Sequence, residues 1–190
     1  ISWFHMQFPG TVAISYKVFI DYMFEVCSSL KQHGFSNLVI VNSHGGNSAA
    51  LSVIANMLHE SYGEKVYIAR WREMAAGVLK KMETIGFHCD SIETSLAMAL
   101  GQDVKMEYAV KDAFDRKETL REQGQNVSNV VKYDMNHGGS FVNVSMDTIS
   151  SISRSGVVGD SCGASYEAGK AILEEVLAVI TKLCCDINKI

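Results

Sequence analysis

Proline occurs once in 190 residues, at Pro9. That scarcity excludes Pro-rich linkers and leaves a chain of long regular elements joined by turns. Five cysteines, an odd number with no C-x-x-C spacing, argue against a disulfide framework and a structural zinc knuckle. Cys27, Cys162, Cys184 and Cys185 read as small buried or half-buried thiols of a reduced, cytoplasmic protein; Cys89 stands apart because it follows His88. Positive charge is in deficit, 17 Lys and Arg against 21 Asp and Glu for a net −4, so there is no basic stripe for nucleic acid or an anionic membrane. No apolar run approaches the ~20 residues that cross a bilayer. The opening "ISWFHMQFPG" has no basic n-region, and a G-x-G-x-x-G dinucleotide fingerprint is absent.

What is present is alternating α and β sequence in one domain, residues 1–190, that is 47% hydrophobic and large enough to bury a core. "TVAIS" (11–15) is a short strand or extended piece, with Ser15 placed as a cap. Phe19, Tyr22, Met23, Val26 and Leu30 then repeat at helical spacing up to His33, and Gly34 closes the helix. "NLVIVN" (37–42) is a continuously apolar strand of the kind buried in a parallel sheet. Residues 47–60 predict a second helix, "KVYIARW" (65–71) a second strand, Arg72 to Lys81 further helix, and Glu93 to Leu100 another. Residues 101–140 are polar and irregular, a surface excursion or an oligomer contact. "SYEAGKAILEEVLAVITKLCCDI" (165–187) is a long amphipathic helix. The order predicts an α/β fold with helices covering a mainly parallel sheet.

Two stretches carry the residue types of chemistry. In "IVNSHGGNSAA" (40–50), His44 falls two residues past a buried strand, where open α/β sheets collect ligands. Gly45 and Gly46 free the backbone and leave room near it, Asn42 and Asn47 add amides, and the following helix N-terminus favours an anion. The same residues also describe a glycine-rich turn with a surface histidine. In "GFHCDSIETSLAMAL" (86–100), His88 and Glu93 are of the kinds that bind a divalent metal and move protons. A carboxylate in a first helical turn is equally a dipole partner, and Asp90 a cap.

These pieces together resemble the creatininase (creatinine amidohydrolase) family. "HMQFPGT" (5–11) is similar to its H-x-x-F-P-G-T. "HGFSNLVIVNSHGGN" (33–47) is similar to a strand followed by N-G-H-G-G-N, and "HCDSIETSLAMAL" (88–100) to H-A-G-x-x-E-T-S before an apolar helix. "SGVVGDSCGASYEAGKAIL" (155–173) is similar to S-G-x-x-G-D-P-x-x-A-x-x-E-x-G-K. The resemblance implies a three-layer αβα sandwich and a divalent metal (Zn, Mn or Fe). It also implies a homo-oligomer, commonly a hexamer, and hydrolysis of an amide, cyclic amide or formamide C–N bond in a small molecule. It implies that His44 is a metal ligand, that His88 transfers protons beside the substrate, and that Glu93 ligates metal or orients the attacking water. His5, Asn42, Gly45, Gly46 and Asn47 are then expected on the substrate side.

Four departures stand out. Ser43 replaces a glycine, a change the turn absorbs if Ser43 avoids strained φ. Ser161 replaces the proline of G-D-P, which is expected to loosen that loop. Cys89-Asp90 replaces Ala-Gly, setting a negative charge beside the expected pocket. The family's N-terminal strand and E-x-H-G-x-H-L-P-x-x-x-D motif have no counterpart before Ile1, so the expectation is a chain lacking that segment. His137, in "DMNHGG" (134–139), reads as a surface residue rather than a replacement ligand. The alternatives are a non-catalytic truncated relative, structural or ligand-binding, and a phosphate- or nucleotide-binding module on the H-G-G-N loop.

Overall fold

The computed structural model describes residues 1–63, 65–82, 88–112 and 148–189. His137 and most of the 101–140 excursion lie outside them.

Ser15 ends an extended segment and caps α1 (Tyr16–Gln32), its hydroxyl accepting from the Val18 N–H at 3.3 Å. Phe19, Ile20, Met23 and Phe24 turn inward against buried Cys27, Leu38, Leu51, Ile54 and Leu58. Tyr22, Val26 and Leu30, part of the same expected stripe, are exposed. Gly34 takes φ +87°; its N–H donates to Lys31 O and that of Phe35 to Leu30 O, the paired closure that needs a residue free to adopt the left-handed region.

The chain enters β1 (Leu38–Asn42), crosses through α2 (Ser48–Tyr62), and returns as β2 (Val66–Arg70), which pairs with β1 in parallel from Leu38↔Val66 to Asn42↔Arg70. Parallel pairing requires a crossover of this length, and apolar residues of α2 cover the pair from one side. Residues 72–81, expected to be helix, form two single turns instead, α3 (Trp71–Met74) and α4 (Ala76–Leu79), separated at fully buried Ala75.

Beyond Asp90, α5 (Ser91–Ala99) packs against the last helix, α6 (Tyr166–Ile187). Ala75, Ile92 and Ile172 are the buried centre of that contact. Ser165 caps α6 with its hydroxyl, and its own N–H donates to Ser95 Oγ at 2.9 Å. A Cβ at Gly169 would stand 1.8 Å from Ser95 O, so the two helices approach backbone to backbone.

A short antiparallel pair, β3 (Lys111–Asp112) with β4 (Gly159–Asp160), completes the strands among the described residues. Here the expected loosening at Ser161 is corrected. Ser161 is buried, its N–H donates to Val110 O at 3.1 Å, and its hydroxyl donates to Val110 O and accepts from Val110 N. Proline has no N–H or hydroxyl for any of these bonds, so the exchange fastens the loop. The thiols also depart from expectation: Cys27 is buried and Cys184 half-buried, but Cys162 and Cys185 are exposed.

Candidate active site

At the last paired residue of β1, Asn42 holds the turn. Its Oδ1 accepts from the His44 N–H at 3.2 Å and its Nδ2 donates to Ser48 Oγ at 3.2 Å. Both ends of this buried amide are therefore spent on the loop. Ser43 avoids positive φ; Cys89 is the non-glycine residue that adopts it among those described. Gly45 and Gly46 also avoid positive φ, so conformational freedom is not their use. Gly46 matters for space: a Cβ there would lie 2.7 Å from His44 Nε2 and from Ile1 O, and 3.1 Å from Phe4 Cζ. The His44 ring packs over a bare Cα. Nothing would meet a Cβ at Gly45. Asn47 precedes α2 without a side-chain cap; its Oδ1 accepts from the Ile1 nitrogen at 2.8 Å.

His44 Nε2 donates to the Ile1 carbonyl at 2.7 Å. A carbonyl only accepts, so the proton of a neutral ring sits on Nε2 and the Nδ1 lone pair is left for a ligand. Phe4 stacks on this ring, centroids 5.8 Å apart. Phe4 is anchored with Ile149 and Val158, and Phe8 and Ile152 pack around them. The same short turn, Trp3–His5, delivers His5, whose ring lies 5.9 Å from His44 and 4.3 Å from His88. His88 is tied in from another direction, its carbonyl accepting from the Val158 N–H at 2.8 Å.

The turn opening α5 is set by Asp90. It is fully buried, caps the helix by accepting from the Glu93 N–H at 2.9 Å, and takes Arg72 Nη2 on both oxygens at 3.1 and 3.3 Å. Cys89 adopts φ +49°, a region that costs a side-chain-bearing residue about 1 kcal/mol or more. In that conformation its N–H donates to Glu93 Oε2 at 2.8 Å and its Sγ lies 3.7 Å from His88 Nε2. Glu93 Oε2 is 4.0 Å from His88 Nδ1, and Glu93 Oε1 is 3.6 Å from Arg72.

Burial dominates the electrostatics. It lowers His5 to about 4, helped by the nearby His88 and His44 rings. It lowers His44, and it lowers His88 with a contribution from His44. All three imidazoles are thus neutral at pH 7. Burial raises Glu93 against the opposing Cys89 N–H and Arg72. Neutral imidazole nitrogens beside a carboxylate and a thiol are ligand-competent donors for a divalent cation, so the residues present fit one.

Of the expected site residues, His5 lies beside both His44 and His88, Glu93 lies beside His88, and Gly46 is the floor under His44. Asn42 serves the loop and Asn47 holds the Ile1 nitrogen. Arg72 escaped the sequence reading, although two signals pointed to it. It follows the carboxyl end of β2, and Asp90 in place of a glycine required a cation to accompany it.

The model of the family described as creatininase, creatinine amidohydrolase, matches residues 1–184. The 3-dehydro-scyllo-inosose hydrolase of Thermotoga maritima is 25% identical over 195 residues, covering 96% of this chain and 60% of that protein. Creatinine amidohydrolase (creatininase) superposes with a TM-score of 0.66 at 22% identity, over 93% of this chain and 65% of the other. The structure "Creatininase Mn" and a mutant creatininase complexed with creatine each give 0.65 at 22% identity, over 93% of this chain and 66% of theirs. At that identity the structural likeness bears on fold alone. The chain spans less than two thirds of the length of the curated relative and just under two thirds of these structures.

Proposed function

The chain belongs to the creatininase family, and from that premise we propose that it acts as a metal-dependent hydrolase on a C–N bond of a small molecule, an amide, cyclic amide or formamide. The observation that carries this reading is the meeting of three neutral histidines, His5, His44 and His88, with Glu93 just past the carboxyl end of β1. Family resemblance extends the proposal to a three-layer αβα sandwich and a homo-oligomer, a hexamer by that resemblance, and the cysteine pattern extends it to a cytoplasmic protein.

His44 through Nδ1, and Glu93 through its carboxylate, are the residues assigned to hold a divalent cation. When bound, such a cation acidifies water and draws electron density from a carbonyl. Manganese and zinc both suit imidazole and carboxylate donors, as does iron. His88, neutral because of burial and its neighbours, accepts a proton from the attacking water and delivers it to the departing nitrogen. Glu93, fixed by the Cys89 N–H, orients that water. His5 keeps its ring uncharged throughout the working range and lies on the substrate side. The start of α2, with Gly45 and Gly46, brings backbone N–H groups near where negative charge develops.

A second reading follows from the curated relative, whose name specifies hydrolysis of 3-dehydro-scyllo-inosose; a cyclic ketone is then the substrate. The test is metal analysis of the purified protein together with a turnover screen over creatinine, formamides and 3-dehydro-scyllo-inosose. His88→Ala is expected to lower turnover at least about a hundredfold with metal retained. His44→Ala is expected to lose metal and turnover together while the fold persists. A protein without metal or turnover on any of these would be a non-catalytic relative.

A further inference from the structure

The densest group of potential ligands among the described residues is the turn that opens α5, where one ligand atom each from His88, Cys89 and Glu93 lie within 4.8 Å of one another. His44 is not part of this group. A tetrahedral zinc ion with Zn–S about 2.3 Å and Zn–N about 2.0 Å holds those two donors roughly 3.5 Å apart. Cys89 Sγ and His88 Nε2, at 3.7 Å, already stand near that separation, and a Glu93 carboxylate oxygen lies within 4.8 Å of both. We propose that His88, Cys89 and Glu93 form a site for a thiophilic divalent cation, zinc or cadmium, with Cys89 as its thiolate ligand.

Charge balance supports the choice of a divalent ion. Arg72 near Glu93 would oppose a cation, but its guanidinium is engaged on both oxygens of Asp90. With the thiol ionised, Cys89, Asp90 and Glu93 outweigh Arg72 by two negative charges, which a divalent cation cancels. Without such an ion, burial and the carboxylates of Glu93 and Asp90 hold the thiol protonated. Binding therefore breaks the S–H bond, forms the sulfur–metal bond and releases the proton to solvent. A thiolate selects zinc over manganese or magnesium, so the site discriminates among cations in a way that imidazole and carboxylate alone do not.

Occupation also takes the His88 lone pair, which stops His88 from accepting a proton; this inhibitory consequence rests on the proposed hydrolysis, while the site itself does not. The experiment is a Cd(II) titration of the full chain, read by thiolate-to-cadmium charge-transfer absorbance in the ultraviolet. Cys162→Ala and Cys185→Ala, exposed thiols elsewhere, are the controls. The expected band saturates at a single equivalent, disappears in Cys89→Ala, survives in both controls and is displaced by zinc. His88→Ala should weaken cadmium binding roughly tenfold or more. A full band in a folded Cys89→Ala protein, or unchanged affinity in His88→Ala, overturns the proposal. Turnover separates the two readings: a Cys89-dependent band without hydrolysis keeps the cation site and removes the hydrolase, and hydrolysis without that band does the reverse.

Discussion

Asp90 does two jobs with one carboxylate, and they can be separated. It caps α5 and neutralises Arg72 from a fully buried position. Asp90→Asn keeps an oxygen for the cap but loses the charge; Asp90→Ala loses both and leaves the guanidinium without its partner. Urea denaturation should therefore show Asp90→Ala less stable than Asp90→Asn by about 1 kcal/mol, the worth of a cap. Both should fall below wild type by about 2 kcal/mol or more, because an opened ion pair strands a charge. Equal losses would mean the cap contributes nothing. The cap was legible in the sequence, since an Asp three residues before a Glu at a helix start is a local pattern. Arg72 was not, because the pairing joins residues brought together only by the turn after β2. The glycines of the His44 loop were half legible: the space expected beside the chain is needed at Gly46, where a ring packs over the bare Cα, but not at Gly45, and no spacing rule tells the two apart.

Helices and strands were the most legible level. α1, β1, α2, β2 and α6 lie within a few residues of their expected spans, because each carries a full period of apolar residues or a strong stop signal. The stretch after β2 broke into α3 and α4 where Ala75 is enclosed by the α5–α6 contact, a tertiary effect that local propensity does not carry. The α5–α6 contact also explains two small residues of the family-like motifs. Ser95 accepts from the α6 cap residue, and Gly169 admits the Ser95 carbonyl where no Cβ fits. Gly169→Ala should force the helices apart and cost about 3 kcal/mol, despite alanine's better helix propensity. Thermal unfolding checks this; a variant as stable as wild type would show that the contact gives way without loss.

At the level of the molecule, the neutral histidines make stability depend on pH. His5 falls from 6.5 to about 4 on folding, and His44 and His88 move in the same direction. Between those values the unfolded chain binds more protons, so stability is full above pH 6.5 and declines as pH falls toward 4. For His5 alone the loss totals about 3 kcal/mol. Urea midpoints between pH 8 and 4 test the sign, and His5→Asn should flatten the decline. The parallel pair has a different consequence, in the order of synthesis. By the time β2 leaves the ribosome, α1, β1 and α2 are all available to fold, and the His44 loop is shaped by contacts within that unit. His88 and Glu93 arrive afterwards, Val158 later still, and α6 after that. Domains built this way fold from what has emerged, so a nascent chain holds His5 and a ready loop before it owns His88 or Glu93, the residues that would work beside them.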